Sequence, residues 1–96
     1  MSAWKIEFHP EVQGDFEENV AIKDRQFLID TITKRLSIDP DKIGKPLGRE
    51  LAKYRRVRIS KYRVIYQIKK NQIIVYVLMV DRRETIYHEV FKRLGI

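Results

Sequence analysis

The 96-residue chain contains no cysteine, so a disulfide framework and thiolate chemistry are excluded. It has only four glycines and three prolines, and neither a Walker loop nor the dinucleotide-binding glycine pattern occurs. The two histidines, His9 and His88, lie far apart in the sequence and lack the spacing of metal ligands. We therefore expect a protein that needs no cofactor and has no metal site.

Long hydrophobic runs are also missing. The longest apolar run is Ile73–Val80, which is far short of the roughly 20 residues that a membrane helix needs. The first residues alternate apolar and charged side chains, unlike a signal peptide. We therefore expect a cytoplasmic protein with no membrane partner. A length of 96 residues predicts one domain, residues 1–96.

Acidic residues are almost absent from the middle of the chain. Between Lys42 and Lys70 there are eleven Lys or Arg residues and one acid, Glu50. That segment has a net charge of +10 in 29 residues, against +7 for the whole chain. Like charge at this density repels itself and is typical of a surface that binds a polyanion. Because β-branched and aromatic residues interleave with the arginines, we expect the arginines to lie on strands and to recognise phosphate.

Hydrophobic periodicity predicts an α+β fold with the order β-α-α-β-β-β-α. The predicted elements are a strand at 4–8, a first helix with Pro10 in its first turn and Val12, Phe16 and Val20 on its apolar face, a second helix at 22–36, a basic loop at 42–53, strands at 54–60, 62–69 and 72–80, and a helix at 84–94. The two N-terminal helices form a hairpin that carries most of the acidic charge, and Pro40 is expected to close the second. The last strand is apolar on both faces, which predicts an interior position in a mainly antiparallel sheet.

The spacing of the arginines predicts a cluster. Residues two apart on a strand share a face, so Arg56 and Arg58 project together. A tight turn after that strand would place Arg63 across from them. Arg83 and Tyr87 follow the last strand, near the same end of the sheet. Taken singly, each arginine fits a solvated surface, whereas the cluster favours an anion-binding site.

Several segments resemble the core signature of the RelE/ParE toxin superfamily. They are Lys45-Pro46-Leu47, the runs 51–59 and 62–66, the closing strand 77–83, and Ile86-Tyr87. The resemblance implies the toxin of a type II toxin–antitoxin system that cleaves mRNA on the ribosome. Its implied partners are the ribosome, mRNA and a cognate antitoxin, whose acidic or amphipathic segment would cover the basic face.

The resemblance also implies roles for individual residues. The catalytic positions are Arg56, Arg58, Arg63, Arg83 and Tyr87. In the implied metal-free reaction, the 2′-hydroxyl of the RNA attacks the adjacent phosphorus and leaves a 2′,3′-cyclic phosphate. Arginines would hold the phosphate and neutralise the leaving oxygen, while Tyr87 would orient the nucleotide. The remaining basic residues are expected to bind RNA or the ribosome: Lys45, Arg49, Lys53, Arg55, Lys61 and Arg82.

Two departures from the family pattern leave the general base open. RelE-like members often have lysines where Arg56 and Arg58 stand, and arginine does not lose its proton. Other subgroups have a glutamate where this chain has Lys45. The candidates for the base are Tyr87, His88 and Glu84.

Two other functions also remain open. One is a ParE-like inhibitor of DNA gyrase, and the other is an inactive fold-mate that only binds RNA or an antitoxin. ParE-like proteins generally lack the full set of catalytic positions, so its presence here favours the nuclease.

Overall fold

The computed structural model describes residues 3–51 and 53–95, and it confirms the α+β class. Its helices and strands are β1 (Lys5–Phe8), α1 (Val12–Asn19), α2 (Ile22–Leu36), α3 (Pro40–Ile43), β2 (Lys45–Pro46), β3 (Tyr54–Ile59), β4 (Tyr62–Lys69), β5 (Ile74–Asp81) and α4 (Ile86–Leu94). Short 3-10 turns span Arg49–Leu51 and Lys70–Gln72. Residue 52 of the predicted loop and both ends of the predicted 1–96 domain lie outside the described residues.

The structure adds two short elements to the predicted order. The prediction that Pro40 closes the second helix is wrong: α2 already ends at Leu36, and Pro40 is the first residue of α3. Proline is well suited to the first turn of a helix because its missing N–H would have no partner there. Strand β2 pairs with β3 inside the segment predicted to be a basic loop. Helix α4 begins at Ile86, two residues later than the sequence predicts.

The five strands form one sheet in the order β1-β5-β4-β3-β2. Strand β1 runs parallel to β5, and all other neighbours are antiparallel. Strand β5 therefore has the interior position that its apolar sequence predicts. Strands β3 and β4 are joined by the predicted tight turn, in which Ser60 has a φ of 57°.

The sheet is covered on both faces. Leu28, Ile32 and Leu36 of α2 are fully buried against one face, together with side chains of α1. On the other face, Ile86 and Val90 of α4 form a smaller core. None of the helices within residues 3–51 and 53–95 is long and apolar enough to cross a bilayer.

A buried ion pair fastens the C-terminal end of α4 to α1. The carboxylate of Asp15 accepts hydrogen bonds from the guanidinium of Arg93 at 2.7 and 2.9 Å. The same carboxylate accepts the backbone N–H of Val80 at 3.0 Å, and Arg93 also donates to the carbonyl of Leu78 at 2.9 Å. Both side chains are largely buried, at 11% and 7% exposure for Arg93 and Asp15. One charge pair thus joins α1, β5 and α4.

Substitution Asp15→Asn should lower the free energy of unfolding by about 3 kcal/mol, because it removes the buried partner of Arg93 and leaves only the exposed carboxylate of Glu11, at 3.8 Å. The exposed Glu18 on the same helix supplies the control, and Glu18→Gln should change stability by no more than about 0.5 kcal/mol. Urea unfolding of the parent and both variants measures the difference. A loss below about 1 kcal/mol for Asp15→Asn would show that the pair does not hold the helix in place.

Candidate active site

Three of the arginines predicted for the site converge on the sheet face that α4 covers. Arg58 and Arg63 are directly paired across β3 and β4, and Arg56 pairs with Ile65, which belongs to the core under α4. Arg56 and Arg58 are exposed, whereas the side chain of Arg63 is 14% exposed. The period-2 spacing and the tight turn thus place these arginines as the sequence predicts.

Tyr87 reaches the strand arginines from the first turn of α4. The guanidinium carbon of Arg56 lies 5.1 Å from the centroid of the Tyr87 ring, which is a cation–π contact. Tyr87 is half-buried. The contact brings a strand residue and a helix residue, 31 positions apart in the sequence, into one site.

A pocket of about 360 Å³ opens beside this contact. Its lining residues are Arg35, Ile43, Lys45, Arg56, Val57, Arg58 and Tyr87. Arg35 comes from the last turn of α2, and sequence reasoning missed it. A cation in the last turn stabilises any helix through the macrodipole. The sequence therefore could not show that Arg35 lines a pocket and does not only stabilise α2. The pocket combines four cations with one aromatic ring.

Arg83 is held by carboxylates. Asp81, at the end of β5 and 2% exposed, accepts hydrogen bonds from the side chain of Arg83 at 2.7 and 3.1 Å. It also accepts the backbone N–H groups of Arg82 and Arg83 at 2.6 and 3.1 Å. Burial alone would raise the pKa of Asp81, but the hydrogen bonds from Arg83 and the two backbone groups outweigh burial and lower it. Glu89 of α4 approaches the same guanidinium at 3.2 Å.

Arg63 also has a carboxylate partner. Its guanidinium donates to the backbone carbonyl of Arg82 and to the side chain of Glu84 at 3.3 Å. The sequence interpretation counted Glu50 as the acid that compensates the basic segment, and the side chain of Glu50 is not described. The acids that contact Arg63 and Arg83 lie at the end of β5 and in the segment that follows it. Their closeness in sequence to Arg82 and Arg83 was the signal that could have identified them.

The other predicted RNA-binding residues do not form one patch. Lys45 lines the pocket beside Tyr87. Lys61 lies in the β3–β4 turn, 3.7 Å from the carboxylate of Asp24, and Arg49 and Arg82 are exposed.

Lys53 and Arg55 lie at the opposite end of β3 from Arg58. Both line a different pocket, and Arg55 donates to the carbonyl of Gly44. These two residues are therefore separated from the arginine cluster.

The three candidate bases differ in position. Glu84 contacts Arg63, and Tyr87 contacts Arg56. His88 is exposed and lies about 100° further round the helix than Tyr87. In the described part of the chain, no group of His, Asp and Glu side chains is arranged to hold a metal ion.

Acidification should release Arg83 from Asp81. The fold lowers the pKa of Asp81 below its ordinary value of 3.8, so the ion pair with Arg83 contributes fully to stability above pH 3.8. That contribution is lost as the pH falls through the pKa that Asp81 has in the folded protein. In Asp81→Asn we expect lower stability at neutral pH, by about 1–3 kcal/mol, and a shallower decline below about pH 4. Urea unfolding at several pH values measures both effects, with the exposed Glu17→Gln as control. An unchanged decline in Asp81→Asn would contradict the prediction.

Comparison with known proteins matches the chain to a family and to solved structures. Residues 6–87 match the family described as ParE toxin of type II toxin–antitoxin system, parDE. Toxin RelG of Mycobacterium tuberculosis is 44% identical over 52 residues, which are 54% of this chain and 60% of RelG. The chain thus spans about 60% of the length of this curated relative.

The structure of the toxin–antitoxin complex RelBE2 from Mycobacterium tuberculosis is similar with a TM-score of 0.76 and 29% identity, over 86% of this chain and 94% of the other. The isolated RelE toxin of E. coli has the same fold, with a TM-score of 0.65 and 21% identity over 96% of this chain and 99% of the other. The family match extends from β1 to the first turn of α4 and includes every arginine of the cluster. The chain therefore belongs to the ParE toxin family of type II toxin–antitoxin systems, within the RelE/ParE superfamily.

Proposed function

We propose that this toxin cleaves mRNA on the ribosome by metal-free transesterification. The observation that supports this most directly is the pairing of Arg58 with Arg63 across two strands. Like charges directly opposite each other destabilise a sheet. A phosphate bound between them would replace the repulsion with charge-assisted hydrogen bonds. The neighbouring Arg56–Tyr87 contact adds a third cation and a ring on which a base can stack.

The reaction needs a positioned nucleophile, stabilisation of the extra charge on phosphorus, and neutralisation of the leaving oxygen. The 2′-hydroxyl attacks the adjacent phosphorus and the bond to the 5′-oxygen of the next nucleotide breaks. The products are a 2′,3′-cyclic phosphate and a free 5′-hydroxyl. Arg56, Arg58 and Arg63 hold the phosphate and stabilise the transition state. Arg83, whose side chain is 59% exposed despite its partners, neutralises the leaving oxygen. Because arginine keeps its own proton, water supplies the proton that makes the leaving oxygen a hydroxyl.

We assign the general base to Glu84. Its carboxylate lies 3.3 Å from the guanidinium of Arg63, and its side chain is 80% exposed. A nucleotide whose phosphate is bound by Arg63 therefore brings its 2′-hydroxyl close to an accessible carboxylate. A carboxylate is a proton acceptor, so Glu84 can take the proton of the 2′-hydroxyl in place of the lysines that RelE-like members often have at positions 56 and 58.

We propose that a cognate antitoxin covers the basic face and blocks the site. The net charge of +10 across residues 42–70 favours an acidic or amphipathic antitoxin segment. Two similar structures support such a partner: the RelBE2 complex and E. coli RelE bound to a peptide of the antitoxin RelB. Ribosomes and mRNA as targets place the active toxin in the cytoplasm.

Inhibition of DNA gyrase is the second candidate. The match to the family described as ParE toxin of parDE favours it. A gyrase inhibitor acts by binding and needs no catalytic set, so its toxicity should depend little on Arg56 or Tyr87. A fold-mate that binds RNA without cleaving it would show salt-dependent binding and no product ends.

Substitutions Arg58→Gln and Arg63→Gln should each lower the rate of mRNA cleavage by about 100-fold, because each removes a donor that stabilises the transition state. Primer extension on translating ribosomes, with detection of cyclic phosphate ends, measures the rate. Both variants should also relieve growth arrest. Lys34→Gln, at an exposed position of α2, is the control and should cleave like the parent.

The nuclease proposal fails if the variant that combines Arg58→Gln with Arg63→Gln arrests growth as strongly as the parent while mRNA stays intact. Loss of gyrase supercoiling activity in the same cells would then support the second candidate.

Substitution Glu84→Gln should lower kcat by about 100-fold or more at neutral pH and remove the acidic limb of the pH–rate profile. Tyr87→Phe removes only a hydroxyl from the ring and should keep that limb. His88→Gln tests the remaining candidate, and single-turnover cleavage across pH 4–9 measures all three. The assignment to Glu84 is wrong if His88→Gln, rather than Glu84→Gln, removes the limb.

A further inference from the structure

The pocket that Tyr87 and the strand arginines line continues past the edge of the sheet. Strand β2 is only two residues long and pairs with Arg55 and Arg56 of β3. Within the described residues, no strand covers the edge of β3 beyond Arg56. The last turn of α2 reaches the pocket at this edge through Arg35, and Lys45 of β2 lines the same pocket. We call the part of the pocket formed by Arg35 and Lys45 the edge subsite.

The edge subsite has positive charge and no acidic partner. Four of the residues that line the pocket are cations, and none is an acid. Among the side chains that the structure describes, neither Arg35 nor Lys45 forms an ion pair with a carboxylate. In the cluster, by contrast, Arg63 and Arg83 both have carboxylate partners. Cations this close together repel each other, and an anion bound between them replaces the repulsion with charge-assisted hydrogen bonds.

Both cations of the edge subsite are attached to backbone that buried neighbours hold in place. Leu36, next to Arg35, is fully buried. On the other side, the hydroxyl of Tyr66 accepts the N–H of Gly44 at 3.0 Å and donates to the carbonyl of the first residue of α3 at 2.6 Å. These bonds fix the chain that leads into Lys45. Because the backbone is already ordered, less entropy is lost when the side chains bind a ligand.

The edge subsite lies beside the Arg58–Arg63 pair and not within it. Lys45 is paired with Arg56, so β2 lies on one side of β3, whereas Arg63 belongs to β4 on the other side. Strands β2 and β4 are two strand spacings apart, or about 10 Å. A phosphate held between Arg58 and Arg63 therefore leaves Arg35 and Lys45 free for a second anion. Successive phosphates of one RNA strand are two anions placed side by side.

We propose that Arg35, together with Lys45, binds the phosphate next to the scissile one on the same mRNA strand. The proposal rests on the nuclease function and adds a residue of the helical hairpin to it. The charge of a neighbouring phosphate does not change during the reaction, so Arg35 binds the ground state and the transition state equally well. Its contribution is affinity for the strand, whereas Arg58 and Arg63 stabilise the charge that develops at the scissile phosphate.

The test compares Arg35→Gln with Lys34→Gln. Both residues are exposed and lie in the last turn of α2, so the two variants lose the same charge and the same interaction with the helix macrodipole. On translating ribosomes, Arg35→Gln should raise KM about 10-fold and keep the kcat of the parent. Its plot of log kcat/KM against log salt should become shallower by about 1. Lys34→Gln should match the parent in all three quantities, and Arg35→Lys, which keeps the charge, should recover most of the lost affinity.

A neutral methylphosphonate in the mRNA identifies the phosphate that Arg35 binds. It replaces either the 5′ or the 3′ neighbour of the scissile phosphate. At one of these positions it should lower kcat/KM of the parent about 10-fold and that of Arg35→Gln no further, because the bound charge and its cation form one interaction. The proposal is overturned if both positions cost the parent and Arg35→Gln equally, or if Arg35→Gln lowers kcat and leaves KM unchanged.

Failure of the nuclease proposal gives a different result. If the parent cleaves no mRNA, binding of 2′-O-methyl oligonucleotides replaces cleavage as the readout. The parent and Lys34→Gln should bind a trinucleotide, with two phosphates, about 10-fold more tightly than a dinucleotide with one, whereas Arg35→Gln should bind both alike. An equal gain in all three proteins refutes the role of Arg35, and binding of neither oligonucleotide refutes both proposals. Loss of affinity for the antitoxin in Arg35→Gln, with KM for the ribosome unchanged, would assign Arg35 to the antitoxin and overturn the proposal.

Discussion

The candidate site depends on helix α4 lying on the sheet, because Tyr87, Glu84 and Glu89 are in or next to that helix. Apolar packing of Ile86 and Val90 places the helix on the sheet, and Phe91 and Leu94 extend that packing to its far end. The ion pair between Asp15 and Arg93 adds a polar attachment there, since it ties the last turn to α1 and to the backbone of β5. The hairpin, which carries the acidic charge and no site residue predicted from the sequence, therefore helps to set the geometry of the site.

Charge compensation in this molecule is uneven. Asp81 at the end of β5 and Glu84 just after it hold Arg83 and Arg63, so these arginines are ordered without a bound anion but part of their positive charge is offset. Arg56 is ordered by an aromatic ring, which leaves its charge intact. Lys53 and Lys69, at the other end of β3 and β4, contact tyrosine rings but no carboxylate among the described side chains. Carboxylates therefore order only part of the basic surface, and the other cations keep their full charge.

Much of the fold follows from the sequence, because strands with one buried face and helices with an apolar stripe have periods that can be read directly. The same period of two predicted that Arg56 and Arg58 share a face with Arg63. Other features depend on tertiary contacts, which leave no periodic pattern in the sequence. Strand β2 follows Gly44, whose N–H is donated to the hydroxyl of Tyr66. A β-carbon at Gly44 would lie 2.5 Å from that hydroxyl and 2.6 Å from the carbonyl of Arg56, so only glycine fits.

The parallel pairing of β1 with β5 joins two segments that are far apart in the sequence, since Lys5 lies opposite Ile74. During synthesis the first strand must therefore wait for its partner until most of the chain has been made. Contacts of such high sequence separation form late because they close a long loop. Helix α4 follows β5 in the sequence, so it can pack on the sheet only after β5 has been made. The face that carries the candidate site is therefore completed later than the basic strands β3 and β4 are made.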